Sequence, residues 1–228
     1  MIAVREFALG TDPESRIELD RFGINQHQTF YLMAAALGQR DPYTHAHARR
    51  VGAYSRRLAE RAGIDGEALR AITLGGMLHD VGKLGLSDRI FSNKQAALSK
   101  EMLGEVQSHP LIGAQLLSRF NCPKAIIEVV LSHHERIDGS GYPFGLSGSE
   151  IPLGAKIVSI ADCFDAITTD RPYQRRKSVA HAFIIMKEMA GTCQDAGLTD
   201  LMIEEIRTNG TESIMPMEPM SIPMLRAI

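Results

Sequence analysis

Seven side chains of the kinds that bind divalent metals are spread over five places in the sequence. They are His47, the pair His79-Asp80, His109, the pair His133-His134, and Asp162. Imidazole and carboxylate ligands together suit iron, manganese, zinc or nickel better than calcium or a thiol-selected metal. Each place lies on a predicted helix or at its end, and helix bundles build metal sites from inward-facing side chains. The pattern therefore predicts a metal site in the core of a helical bundle.

Two of these places are adjacent pairs, which simple core packing does not explain. His133 and His134 are about 100° apart around a helix, so both can reach one ion or line one pocket. His79 and Asp80 end a predicted helix directly before a glycine-rich loop, so both can face a common cavity. A carboxylate at a helix C-terminus is electrostatically unfavourable, and a bound cation would offset that cost.

The face of its helix distinguishes His47 from its neighbour His45. His47 shares a face with Val51, Tyr54 and Leu58. His45 lies about 200° away around the helix, so the two histidines cannot share a target. Apolar neighbours at this spacing direct His47 toward the core, which makes it the candidate ligand.

The elements that must position these side chains are helices. Apolar residues recur at helical spacing along most of the chain, and alternating strand-like runs are scarce. Capping residues, glycines and prolines divide this pattern into segments. The predicted helices are 26–37 after the N-cap Asn25, 44–63 from Thr44, 66–80 after Asp65, 99–108, three that begin near Pro110, Pro123 and Pro152, 178–190, and 199–208. The predicted fold class is all-α, a bundle of about eight helices.

The length, net charge and composition of the chain exclude several classes of protein. The chain has 228 residues, a net charge of −2 and no long basic run, so DNA or RNA binding by bulk electrostatics is not expected. No apolar stretch approaches the length of about 18 residues that a membrane span needs, and the start does not resemble a secretory signal. Three cysteines, Cys122, Cys163 and Cys193, lack metal-site spacing, which predicts reduced thiols and a cytoplasmic protein.

Composition divides the chain into three parts. Residues 1–24 carry mixed charge and little periodicity, which predicts a short N-terminal extension. Residues 25–210 contain the predicted helices and all candidate ligands. Residues 211–228 open with TESIMPMEPMSIPML, which holds three prolines and four methionines in fifteen positions. That composition predicts an extended or disordered C-terminal tail.

Several motifs resemble those of a known family. GGMLHDVGKLG, residues 75–85, resembles the HD-superfamily phosphohydrolase signature, a His-Asp doublet followed by a Gly-Lys loop. HHERIDGSGYP, residues 133–143, is similar to the diagnostic motif of the HD-GYP family. The resemblance continues through RDPYTHAHARRV, SHPLIGAQLL, IPLGAKIVSIADCFDAITTDRPY and EMAGT, and so covers roughly residues 35–205. It implies that residues 25–210 are a catalytic domain with the HD-superfamily helical bundle.

Members of that family are typically cyclic di-GMP phosphodiesterases with two or three metal ions, usually iron or manganese. Matched position by position, the implied metal ligands are His47, His79, Asp80, His109, His133, His134 and Asp162. Asp80 would bridge two ions; His47, His79 and Asp162 would complete one site, and His109, His133 and His134 the other. Three-metal members have a Glu one turn before the first ligand, where this chain has Tyr43. We therefore expect two divalent ions, iron or manganese, with nickel or zinc left open.

The implied reaction is hydrolysis of cyclic di-GMP to pGpG by a metal-bridging hydroxide, with further cleavage to GMP left open. Asp80 and Lys83 are the implied catalytic residues, and Lys83 would also neutralise phosphate charge. The other candidate substrate contacts are Tyr142, which could stack on a base or pack the loop, Arg171, and Gln174, where relatives often have Lys or Arg. Asp165, on the same face as Asp162, is the candidate that orients a ligand or Lys83.

Two alternatives stay open. The same metal chemistry could act on another cyclic dinucleotide or phosphoester, because these residues cannot separate guanine from adenine. The chain could instead be a signalling module that binds a nucleotide or a diguanylate cyclase (GGDEF) partner with little turnover. The complete ligand set argues against that module, whereas Gln174 keeps it open.

Overall fold

The computed structural model describes residues 29, 33, 36, 42–92, 98–170 and 175–211, and these residues are largely helical. The α-helices are α1 Pro42–Arg61, α2 Gly66–Leu78, α3 Asp88–Phe91, α4 Lys100–Gln107, α5 His109–Arg119, α6 Lys124–Ser132, α7 Leu153–Thr168, α8 Val179–Met189 and α9 Ala196–Asn209. Two short 3-10 helices, Val81–Gly85 and Gly148–Glu150, lie between them. In this part of the chain, β-type pairing is limited to two isolated bridges. The all-α prediction is confirmed.

Local capping explains where several helices begin and end. The Ser99 side chain accepts a hydrogen bond from the N–H of Met102 and caps α4, next to the predicted start at residue 99. Pro110 lies in the first turn of α5, where its missing N–H costs nothing. Helix α2 ends at Leu78, two residues before the predicted end at Asp80. His79 and Asp80 therefore leave the helix and turn toward the 3-10 segment.

Two predicted helix starts are wrong. Helix α1 begins at Pro42 rather than after a cap at Thr44, because the fixed φ of proline suits the first turn of a helix. Helix α9 begins before the predicted start at Thr199. The side chain of Asp195 accepts a hydrogen bond from the N–H of Leu198 and caps α9 at that point.

Helix α7 lies at the centre of the bundle and packs against α1, α2, α6, α8 and α9. Its inward side chains Ile157, Ile160 and Phe164 are fully buried. A second apolar cluster, which includes Leu117 and Leu131, joins α5 to α6. Burial of this apolar surface is the main force that fixes the helices relative to one another. The same cores therefore fix the positions of all helices that carry candidate ligands.

The 3-10 segment after Asp80 lies directly against α5, and a glycine permits this contact. A Cβ atom added to Gly82 would lie 1.9 Å from the backbone oxygen of His109 and 2.5 Å from the backbone nitrogen of Gly113. A residue with a side chain cannot occupy this position without displacing backbone. The close approach brings the chain after Asp80 to the first turn of α5, where His109 lies.

The predicted domain, residues 25–210, can be compared with the structure at its C-terminal end. Helix α9 ends at Asn209, next to the predicted boundary. The extension 1–24 lies outside the described residues, as does the tail from residue 212 onward, so both boundaries stay predictions. Of the predicted helix 26–37, residues 29, 33 and 36 are described, and they are helical. None of the described helices combines the length and apolar character that crossing a membrane requires.

Candidate metal centre

The bundle brings all seven predicted ligands to one place. His47 lies on α1, His79 and Asp80 follow α2, His109 begins α5, His133 and His134 follow α6, and Asp162 lies on α7. Ligand atoms of His47, His79 and Asp80 lie within 4.8 Å of one another, and so do those of His109, His133 and His134. The histidines His47 and His79 are called the His47 half of the centre, and His109, His133 and His134 are called the His109 half.

Asp80 lies between the two halves. Its Oδ2 atom is 3.3 Å from Nε2 of His79 and 3.9 Å from Nε2 of His47. Its Oδ1 atom is 3.4 Å from Nε2 of His109. Asp162 belongs to the His47 half, since its Oδ1 atom is 3.3 Å from Nε2 of His47. Each oxygen of Asp80 thus faces a different half, which is the geometry of a bridging carboxylate.

Backbone carbonyls fix the protonation pattern of three histidine rings. A carbonyl oxygen can only accept a hydrogen bond, so the ring nitrogen beside it must carry the proton. The pairs are His79 Nδ1 with Gly76 O at 2.8 Å, His109 Nδ1 with Val106 O at 2.7 Å, and His133 Nδ1 with Val130 O at 2.8 Å. In the neutral form, each Nε2 atom therefore presents a lone pair to the centre, which is the form that binds metals.

Two pairs of Nε2 atoms face each other at short range. The distance is 3.3 Å between His47 and His79, and 3.3 Å between His109 and His133. Lone pairs pointed at one another repel, unless a proton or a cation lies within reach of both. The chemistry of these donors, imidazole nitrogens and carboxylate oxygens, suits a divalent transition metal in each half. The residues present therefore fit the two ions that the sequence predicts.

The carboxylates of the centre stay ionised. Burial alone would raise the pKa of Asp80, but the charges of Lys83 and His79 and a hydrogen bond to His79 hold it well below its ordinary value. Burial opposes ionisation of Asp162 as well, but the charges of His79 and His47 lower its pKa. Two anionic carboxylates among histidines attract a cation.

The pKa of His79 shifts in the opposite direction to those of the three histidines in the His109 half. Burial lowers the pKa of His109 and His133, and it lowers the pKa of His134 to about 4. Burial acts on His79 in the same direction, but Asp80 and the other nearby carboxylate outweigh it and raise the pKa of His79 to about 9. The His109 half therefore presents neutral rings. In the His47 half, a bound metal would replace the proton on His79.

One side of the centre is open. Two candidate ligands on this side are half-buried, His134 and Asp162, and so are Lys83 and Tyr142. The other five candidate ligands are buried. The Nζ atom of Lys83 donates a hydrogen bond of 2.6 Å to Oδ2 of Asp80. The ring of Tyr142 stacks on that of His134, with centroids 4.7 Å apart and planes inclined by 28°. Burial and the charges of Asp80 and Asp162 raise the pKa of Tyr142, so its phenol keeps its proton.

Glu135, which the sequence analysis did not single out, fixes the loop that carries Tyr142. Its buried carboxylate accepts a hydrogen bond of 2.8 Å from the N–H of Phe144 and one of 2.9 Å from the N–H of Leu146. The two bonds tie the chain on the far side of Tyr142 back to the end of α6. A charged residue directly after two candidate ligands was the signal that could have indicated this role.

We expect Glu135→Gln to loosen this loop. A carboxylate accepts from both N–H groups, whereas an amide has one acceptor oxygen and would point its NH₂ group at the other donor. A buried N–H left without a partner costs about 1–3 kcal/mol. Hydrogen exchange should show faster exchange at Phe144 and Leu146. The control is Glu150→Gln, since Glu150 caps the same loop from an exposed position through Ser147. Equal exchange in both variants would contradict the role given to Glu135.

The remaining predicted site residues have different outcomes. The Oδ2 atom of Asp165 lies 2.7 Å from Nδ1 of His47, so it faces a candidate ligand rather than Lys83. Arg171 and Gln174 lie outside the described residues, and so does the side chain of Tyr43. Their predicted roles stay predictions.

Comparison with known proteins agrees with the motifs. A family model described as an HD domain matches residues 32–198. A cyclic di-GMP phosphodiesterase of Thermotoga maritima is 42% identical over 154 residues, which cover 67% of this chain and 42% of that protein. The 3'3'-cGAMP-specific phosphodiesterase 3 of Vibrio cholerae is 35% identical over 156 residues, 68% of this chain and 34% of that one. The chain thus spans less than half the length of these relatives.

A solved structure has the same fold. Bd1817, an HDG"Y"P protein from Bdellovibrio bacteriovorus, matches with a TM-score of 0.58 at 24% sequence identity, over 71% of this chain and 51% of that one. At this identity the likeness supports the fold alone. The family model covers most of the helical bundle and both candidate histidine groups. The chain belongs to the HD domain family.

Proposed function

We propose that this chain is a metal-dependent phosphodiesterase that hydrolyses cyclic di-GMP to pGpG. The observation that carries the proposal is the position of Asp80, whose two carboxylate oxygens face two separate groups of buried histidines. A purely structural core has no use for so many converging ligand atoms, because buried polar groups cost free energy unless they are paired. Relatives that share the HD domain are named phosphodiesterases of cyclic dinucleotides.

Each half of the centre would hold one divalent cation. His47, His79 and Asp162 with Oδ2 of Asp80 would bind one ion, and His109, His133 and His134 with Oδ1 of Asp80 would bind the other. When bound, such a pair of cations neutralises charge on a phosphodiester and makes water a better nucleophile at neutral pH. Iron or manganese is our proposal for the ions. The same donors also accept nickel or zinc.

Lys83 and Tyr142, both half-buried, are the side chains that we propose contact the substrate. Lys83 lies beside Asp80 and its side chain is 31% exposed, so it could neutralise a phosphate oxygen that enters from the open side. Tyr142 has one ring face against His134, and its other face is the one that a guanine base could stack on. Arg171 and Gln174 are proposed contacts that rest on the sequence resemblance.

Lys83→Met should separate charge neutralisation from metal binding. Lysine is not a ligand of either ion, so we expect metal content to stay at the wild-type level. Hydrolysis should fall about 100-fold, the loss typical when one group that stabilises transition-state charge is removed. The matched control is Lys124→Met, which removes an exposed lysine paired with Glu128 on α6. Loss of metal from Lys83→Met would show that Lys83 supports the centre itself.

The direct test of the function is a product assay. Purified protein loaded with iron or manganese under anaerobic conditions would be incubated separately with cyclic di-GMP, 3'3'-cGAMP and cyclic di-AMP, and the products separated by chromatography. We expect pGpG, and GMP if a second cleavage follows. Preferential cleavage of 3'3'-cGAMP would change the proposed substrate to the one named for the Vibrio cholerae relative. No product from any of them in metal-loaded protein would contradict the proposal.

Two wider predictions accompany this function. We propose a cytoplasmic location, because the three cysteines lack metal-site spacing and are expected to be reduced thiols. An interaction with diguanylate cyclase (GGDEF) proteins rests on the family resemblance. Co-purification with such a protein would test this interaction independently of catalysis.

A further inference from the structure

The histidine of α1 has a hydrogen-bond partner unlike that of the other rings. His79, His109 and His133 each donate Nδ1–H to a backbone carbonyl. His47 instead has Nδ1 at 2.7 Å from the carboxylate of Asp165. A carboxylate partner orients an imidazole and raises its basicity more than a neutral carbonyl does. The two halves of the centre are therefore built differently.

Arg50 fixes the position of Asp165 with two hydrogen bonds from its guanidinium group. Its Nε atom donates to Oδ1 of Asp165 at 2.6 Å, and its Nη2 atom donates to Oδ2 at 3.1 Å. The side chain of Asp165 is 1% exposed, so this carboxylate depends on its protein partners. A two-point contact fixes the plane of the carboxylate, which a single charge contact would leave free to rotate.

The spacing of Arg50 and Asp165 in the sequence places this pair next to the His47 half of the centre. Arg50 follows His47 by three residues on α1, and Asp165 follows Asp162 by three residues on α7. Residues three apart share one face of a helix. The Arg50–Asp165 pair therefore links the two helices that supply His47 and Asp162 to the same proposed ion. It lies behind the His47 ring, on the side away from the ligand nitrogen.

We propose that Arg50 is a positioning residue for the His47 half of the metal centre. It fixes Asp165, which in turn fixes the orientation of His47 and keeps the proton on Nδ1. The result is a higher affinity of the His47 half for a divalent cation, with the His109 half unaffected. This inference rests on the proposed two-ion centre. It adds a residue that neither the ligand set nor the motifs single out.

A merely structural role for Arg50 makes a different prediction. An ion pair between α1 and another helix can support the fold with no effect on metal binding, and the chain contains such a pair. Arg57, two turns further along α1, donates to Glu205 on α9 at 2.9 Å. Helix α9 carries no candidate ligand. Arg57→Gln is therefore a matched control for loss of an arginine–carboxylate pair on the same helix.

The test is titration of metal-free protein with Mn²⁺, followed by calorimetry and by the metal content that remains after dialysis. Wild type is expected to bind two ions per chain. Arg50→Gln should bind one ion as wild type does and the other about 10- to 100-fold more weakly. Arg50→Lys keeps the charge but cannot donate to both oxygens, so it should give a smaller loss. Arg57→Gln should lower Tm and bind both ions with wild-type affinity.

Double variants assign the lost ion to a half of the centre. Adding Arg50→Gln to His79→Ala, which already lacks the His47 half, should weaken Mn²⁺ binding no further. Adding it to His133→Ala, which lacks a ligand of the other half, should weaken binding of the remaining ion by the same factor of about 10 to 100. Such non-additivity is the signature of residues that act on one site.

The outcomes separate the inference from the function on which it rests. Wild-type affinity for two ions in both Arg50→Gln and Arg50→Lys would overturn the inference and leave the phosphodiesterase proposal intact. A wild-type chain that binds fewer than two ions would overturn the two-ion centre, and the role of Arg50 with it. Should Arg50→Gln fail to fold, Arg50→Lys carries the same comparison.

Discussion

Asp80→Asn is expected to release both ions and to lower hydrolysis by a factor of about 1000 or more. Asparagine has nearly the shape of aspartate but one acceptor oxygen and no charge. Oδ2 of Asp80 faces the histidines of one half and Oδ1 faces His109 of the other. A neutral amide cannot serve both halves. Replacing any other ligand should weaken one half, whereas this change should weaken both.

Metal content of the dialysed protein measures this effect directly, and the product assay measures the loss of hydrolysis. The matched control is Asp195→Asn, since Asp195 caps α9 and asparagine caps helices about as well as aspartate. That variant should keep two ions and wild-type activity. Retention of both ions in Asp80→Asn would show that the bridge between the halves lies elsewhere.

The candidate ligands could be found from the sequence because each conflicts with its surroundings. Histidines and aspartates at the ends of apolar helices carry a cost that a globular core rarely tolerates without a partner. His79-Asp80 and His133-His134 show this conflict most clearly. The positions of helices could be predicted for a similar reason, since caps such as Ser99 act within one turn of the chain.

Interactions between distant parts of the chain could not be predicted in this way. Arg50 and Asp165 are separated by 115 positions, and nothing in either local sequence reveals that their helices meet at this point. Glu135 and Leu146 are closer, but their bond depends on the path of a loop rather than on helical spacing. Both contacts hold ligands or loops in place. These two contacts form only where packing has already fixed the positions of the helices.

The structure also bears on the two interpretations of Tyr142. Base stacking and loop packing are alternatives only if one ring face must serve both purposes. In the structure, one face of the ring packs on His134, and Glu135 fixes the loop around it. Packing would thus prepare the residue for the proposed stacking, because a ring that is already immobilised loses less entropy when a base binds.

The second substitution with a large expected effect replaces Gly82, which contacts α5. Gly82 lies between Asp80 and Lys83, and the Cβ of an alanine would come within 1.9 Å of the His109 backbone oxygen. This neighbour is backbone and cannot rotate away, so the 3-10 segment and α5 must separate. Separation lengthens the 3.4 Å distance between Asp80 and His109, on which the His109 half depends. A misplacement of about 1 Å can cost a factor of about 100 in rate.

We therefore expect Gly82→Ala to lower hydrolysis about 100-fold and to weaken binding of the ion in the His109 half. Overpacking of this kind also costs about 1–3 kcal/mol of stability, which thermal unfolding would detect. The matched control is Gly104→Ala on α4, where an added Cβ meets nothing within 4 Å. That variant should be as stable as wild type or slightly more stable, because alanine favours helices by about 1 kcal/mol over glycine. Wild-type metal content and rate in Gly82→Ala would show that the centre tolerates movement between α5 and the segment after Asp80, so that its geometry would have to be set by α1 and α7 instead.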